Sequence, residues 1–92
     1  MSMDDIYHSL QQLAGELEQF NDRLRLSIQQ VNELHDRVHG LWQDSMRHDY
    51  DARWLPLKET MDRYVTQIGP AYVEWLQRRI QELTQYLYGN QR

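Results

Sequence analysis

The stretch from residue 6 to residue 41, IYHSLQQLAGELEQFNDRLRLSIQQVNELHDRVHGL, decides the fold. Ile6, Leu10, Leu13, Leu17, Phe20, Leu24, Ser27, Val31, Leu34, Val38 and Leu41 follow one another in alternating steps of four and three, without a slip. Ten of these eleven positions are apolar, and Ser27 is the exception. Spacing of this kind places one narrow apolar seam along a long helix that packs at a small angle on a second helix. No proline interrupts residues 1 to 55, and Ser2, Asp4 or Asp5 can cap the start.

The remainder of the chain is also helical in pattern, though less regular. Met46, Tyr50, Trp54, Leu57, Met61, Tyr64, Ile68, Tyr72, Trp75 or Leu76, Ile80, Leu83 and Leu87 recur at three or four residues. Acid-to-Arg pairs four apart add support: Glu33 to Arg37, Asp49 to Arg53, Glu59 to Arg63 and Glu74 to Arg78. Pro56 and the Gly69-Pro70 pair each predict a kink or a fresh helix start. Gly89 stands at the expected left-handed C′ position. The pattern therefore predicts an all-α antiparallel hairpin: arm one over about 4–41, a turn at about 42–45, and arm two over about 46–88, with kinks near 56 and 70. A three-helix arrangement broken at Gly69-Pro70 is the alternative.

Two helices enclose one seam and leave its flanks half wet. Ninety-two residues with no cysteine build only a marginal core, and no disulfide or thiolate metal site can staple it. Val65, Val73 and one of Trp75 and Leu76 lie off the main stripe. These features predict that the hairpin pairs with another into a four-helix bundle. Ser27, the one polar seam residue, either sets register there or yields its place to Ile28.

Net charge is −4, from 14 acidic and 10 basic residues, which argues against nucleic acid or an anionic membrane as partner. Nine of the ten basic residues are Arg, a bias that favours protein contacts. The acidic start lacks the continuous apolar run of a signal peptide, and no segment approaches ~20 apolar residues. A cytoplasmic protein is expected, with signal-less secretion as the only route out.

The second informative stretch is GLWQDSMRHDYDARWLP, residues 40 to 56. Trp42 stands just before the turn, Tyr50 follows eight residues later, and Trp54, Leu57 and Met61 continue the stripe. In architecture and at these positions the chain resembles the WXG-motif family, the early-secreted-antigen-like proteins of type VII secretion. Asp44 stands where that family carries Gly, and Tyr86 with Asn90 stands where it carries Tyr-x-x-x-Asp/Glu. The resemblance implies a homo- or heterodimer forming a four-helix bundle and a role as secreted effector, partner or adaptor without catalysis.

Other candidate sites have plainer readings. Trp42 and Trp54 are either recognition anchors or plugs for the open end of the hairpin. His35 and His39, four apart, have the spacing of metal ligands, but no Glu or Cys completes a motif, and surface histidines are the expectation. Asp44, Asp49 and Asp51 suggest an acid–base cluster, yet capping and ion pairing explain them without a cleft. Arg78 and Arg79 beside Trp75 can meet a phosphate, but Arg23, Arg25 and Arg37 fall outside the seam, so no inward basic pocket is expected. No catalytic, cofactor or metal residue is assigned. The expected function is a non-enzymatic interaction or assembly module whose partner is itself or a similar hairpin. The alternatives are a cytosolic adaptor, chaperone or immunity-type protein, and a small helical-bundle enzyme.

Overall fold

The computed structural model describes residues 2–89. Helix α1 spans Met3–Leu41, α2 spans Met46–Arg63, a π-helical turn spans Tyr64–Ile68, and α3 spans Gly69–Tyr88. The last three run on without a break, so the chain is a two-armed helical hairpin. It measures 70 × 24 × 17 Å, with a radius of gyration of 20.3 Å. A compact domain of this length would have a radius near ~12 Å. The hairpin is one helix layer thick.

The start of α1 is set by a reciprocal cap. Ser2 Oγ accepts from the Asp5 N–H at 3.2 Å, and Asp5 Oδ2 accepts from the Ser2 N–H at 3.3 Å. This is the Ser-x-x-acid capping box. At the far end of α1 the chain leaves the helix at Trp42, whose backbone is extended.

Arm two stays helical through both prolines, so neither stops the arm. Pro56 lies inside α2 and the helix continues through it. A break does not form there. At Gly69-Pro70 the helix widens instead of stopping. Pro70 carries no N–H and its ring crowds the carbonyl four residues back. The Gly69 N–H reaches five residues back to Tyr64 O, and the turn becomes π-helical. Gly69 is buried against α1; a Cβ there would sit 3.1 Å from the Asn21 side chain and 3.1 Å from the Tyr64 ring. Gly89 does not take the left-handed C′ conformation: its φ is −66° and its N–H still bonds Gln85 O. Asn90 lies outside the described residues.

The arms do not close on the expected seam. The inward rows of α1 are Leu10, Leu17 and Leu24 together with Tyr7, Ala14, Asn21, Ile28, His35 and Trp42. Ala14 and Ile28 are buried. Leu10, Leu17 and Leu24 belong to the expected seam, but its other row is displaced by one residue, which on a helix turns it about 100°. Ile28 takes the inward place and Ser27 is exposed. On α3 the inward residues are Gly69, Val73, Leu76, Ile80 and Leu87, with Leu76 only 1% exposed. Val73 is thus core rather than off-stripe, and Trp75 rather than Leu76 faces out.

Polar pairs tie the arms along this line. Tyr64 Oη donates to Asn21 Oδ1 at 2.8 Å, Thr84 Oγ1 to Tyr7 Oη at 3.2 Å, and Tyr88 Oη to Asp4 Oδ1 at 3.2 Å. Of the four expected Acid-to-Arg pairs, Glu74–Arg78 forms at 3.2 Å. Glu33–Arg37, Asp49–Arg53 and Glu59–Arg63 do not come within ion-pair distance. Lys58–Asp62 and Arg47–Asp51 form in arm two instead.

Candidate functional site

Two features stand apart from ordinary hairpin packing: a polar–aromatic cluster at the bend and an apolar side that the hairpin leaves uncovered.

The cluster begins with Asp44. Its Oδ1 accepts from the Trp42 indole N–H at 2.6 Å and from the Met46 backbone N–H at 2.9 Å. The carboxylate thus caps the start of α2 and holds Trp42 down. No described residue has positive φ, so the turn is made without glycine geometry. Behind it, Trp42 packs on Tyr50 with ring centroids 5.1 Å apart. His35 stacks on Trp54 at 4.0 Å, nearly parallel, and its Nδ1 lies 2.8 Å from Tyr50 Oη. His39 sits between Arg47, whose Nε donates to His39 Nε2 at 3.2 Å, and the Asp51 carboxylate at 3.2 Å.

This arrangement brings Trp42, Asp44, Tyr50 and Trp54 together. It also corrects the expectation of solvated histidines: His35 and His39 are half-buried cross-hairpin contacts. Their large partners hold α1 and α2 apart, where Gly69 and Ala14 let α1 and α3 close. His48 and Asp49 are exposed and outside the cluster. No three His or acidic residues among the described residues are grouped to hold a metal. Asp44 and Asp51 are occupied by capping and ion pairing, and the depression beside Asp51, about 310 Å³, is lined also by Asp36, Trp54, Leu55 and Lys58.

The second feature is larger. Leu13, Phe20, Val31, Leu34, Val38 and Leu41, all members of the expected seam, are between 40% and 79% exposed. Tyr72, Trp75 and Tyr86 form a matching exposed row on α3. Both rows open on the same side. Met3 and Leu10 share a depression of about 460 Å³ with Arg79, Leu83 and Tyr86, and Val31, Leu34 and Val38 share another with Tyr50 and Trp54. The opposite side carries Glu18, Asp22, Arg25, Glu74 and Gln77. That opposite side also shows Val65 and Pro70, so the charges are gathered there without excluding apolar residues.

Arg79 lies within this apolar side. Its guanidinium stands 5.4 Å from the Trp75 ring and 3.1 Å from Glu82 Oε1, while its Nε is buried without a partner. Arg78 pairs with Glu74 and points elsewhere. Arg23, Arg25 and Arg37 are all exposed, and no inward basic pocket forms among them. Tyr72, Trp75 and Arg79 are all visible in the sequence, but the irregular stripe of arm two leaves open whether Trp75 or Leu76 faces out. The Gly69 contact decides it, since it turns Val73 and Leu76 inward.

Comparison with family models, curated proteins and solved structures gives no match. No helix among the described residues is long and apolar enough to cross a membrane.

Proposed function

We propose that this chain is a non-enzymatic assembly module that acts by laying its apolar side against another helical hairpin. The observation that carries the reading is the exposed row Leu13, Phe20, Val31, Leu34, Val38 and Leu41. A helix that places such a row on one side and charges on the other has a second packing surface. The chain exposes 7464 Å². A compact monomer of 11.3 kDa exposes roughly 5,700 Å². A four-helix bundle of two hairpins removes most of that excess.

The bend supports the same role. Its carboxylates and histidines are bonded to one another and to the aromatic rings, which leaves the cluster a structural plug. On this reading the likeness of Trp42, Tyr50 and Trp54 to the WXG pattern belongs to a shared hairpin-pairing architecture, with a secretion substrate or partner as the role it implies. A helical protein of different sequence is the other occupant the surface accommodates, which makes the chain an adaptor or immunity-type partner.

Light scattering after size exclusion, combined with thermal melting at micromolar concentration, tests the proposal. The expected result is an assembly of definite mass, or a loosely packed single chain that becomes cooperative when a helical partner is added. A monodisperse single chain that melts cooperatively on its own would overturn it.

A further inference from the structure

We infer that His39, Arg47 and Asp51 form a proton-operated latch across the bend: one proton taken up by His39 expels Arg47 from the end of α1 and leaves His39 bonded to Asp51. The three side chains meet where the arms join. His39 lies in the last turn of α1, Arg47 in the first turn of α2, and Asp51 one turn further on. Arg47 Nη2 stands 2.9 Å from His39 Nε2 and 3.1 Å from His39 Nδ1, and Arg47 Nη1 donates to Trp42 O at 3.4 Å. Asp51 Oδ1 stands 3.2 Å from the same Nε2.

A neutral imidazole carries one N–H and one bare nitrogen. If Nε2 holds the proton, it donates to Asp51 while Nδ1 accepts from Arg47. If Nδ1 holds it, Nε2 accepts from Arg47. In both tautomers Arg47 finds an acceptor on the ring. The imidazolium offers none, because both nitrogens are then donors, and it sets a second positive charge against the guanidinium. Asp51 stays a fit partner for the charged ring. Arg47 keeps only contacts outside the ring: the Trp42 carbonyl and Asp51, 3.8 Å away on its own helix. The helix ends act in the same direction. A cation is favoured in the last turn of α1 and disfavoured in the first turn of α2. While His39 is neutral, Arg47 and Asp51 cancel in charge. The proton gives the bend one uncompensated positive charge and frees the guanidinium beside Trp42.

The other groups facing His39 do not make the same exchange. From α1, His35 lies with its ring centroid 5.4 Å away, and Asp36 lines the same depression. From α2, Lys58 lines it too and is paired with Asp62. His35 Nδ1 meets the Tyr50 hydroxyl, which both donates and accepts, so His35 keeps this partner in either charge state.

Nitrogen NMR of the full chain from about pH 8 to about pH 5 tests the latch, because histidine changes charge in that range. The His39 ring nitrogens report the proton and the Arg47 side-chain nitrogens report its partner. The Arg47 signals should move towards those of a solvated arginine along the same curve as the His39 ring. In His39→Gln, whose amide oxygen accepts without titrating, they should hold their high-pH position throughout. Arg47 signals that stay in place while His39 takes up its proton overturn the inference. So do Arg47 signals that follow the His35 ring instead, or that move equally in His39→Gln. The comparison of His39, His35 and Arg47 needs only the unaltered chain, so the folding of the variant does not decide the outcome.

Discussion

Replacing Leu34 by Ala separates the two roles an exposed leucine can have. In a single hairpin Leu34 is 54% exposed. Full burial of a Leu side chain is worth about 1.5–3 kcal/mol, so the part left for a partner to cover is worth roughly 1–1.5 kcal/mol. In a dimer of identical chains the loss counts twice, roughly 2–3 kcal/mol, or about a 30- to 150-fold rise in the dissociation constant. If Leu34 only faces water, its removal changes stability by less than ~0.5 kcal/mol. Sedimentation equilibrium over a wide concentration range reads the dissociation constant directly. The melting temperature should fall in the variant most steeply at low concentration, because dissociation and unfolding are linked. A dimer whose dissociation constant is unchanged within threefold in L34A would refute the reasoning, since it would place the interface on the other side of the hairpin.

Leu76→Ala should destabilise the protein by about 2–5 kcal/mol in chemical denaturation, because Leu76 is the most buried side chain of the α1–α3 contact and little can collapse into its place. Gly69→Ala should push the Asn21 side chain and the Tyr64 ring apart by a few tenths of an ångström and weaken their hydrogen bond, the strain being set against about 1 kcal/mol of helix propensity gained; a crystal structure checks the displacement and chemical denaturation the balance. Asp44→Ala should lower stability by about 0.5–2 kcal/mol through loss of the α2 cap, and should shift Trp42 fluorescence as its indole N–H is released. The hydrogen bond to Asp4 holds the Tyr88 hydroxyl above the ordinary tyrosine range. Its raised value means the contact is intact below about pH 10 and is lost as pH rises through the Tyr88 titration. Ultraviolet titration should show a late tyrosine transition that Tyr88→Phe removes.

The architecture is legible in the sequence wherever a local rule acts alone. The uninterrupted four–three spacing gives α1, and Ser2 with Asp5 gives its cap. The polar run after Trp42 gives the bend. The inward face of α1 is not legible in the same way. Two apolar-weighted rows share Leu10, Leu17 and Leu24, and the count favours the row through Leu13, Phe20 and Leu34 because every member but Ser27 is apolar. The hairpin uses the other row, whose members Tyr7, Ala14, Asn21 and His35 are small or amphipathic. They suit what arm two presents: Gly69, Thr84, Tyr50 and Trp54. An amphipathic row inside and an apolar row outside make sense when the outer row has its own partner. Pro70 was readable as a disturbance but not as a π turn, because that outcome depends on Gly69 reaching Tyr64 O. The bend cluster was half legible: Trp42, Tyr50 and Trp54 stand out by size, whereas His35 and His39 resemble surface residues until the second arm is placed beside them.

The mass of the chain in solution tests the central claim most directly. Multi-angle light scattering across a concentration series from about 1 to 100 µM should give the mass of two chains at the upper end, with dissociation on dilution accompanied by loss of helical signal. A mass of one chain throughout, with helicity and cooperative melting unchanged on dilution, would contradict it.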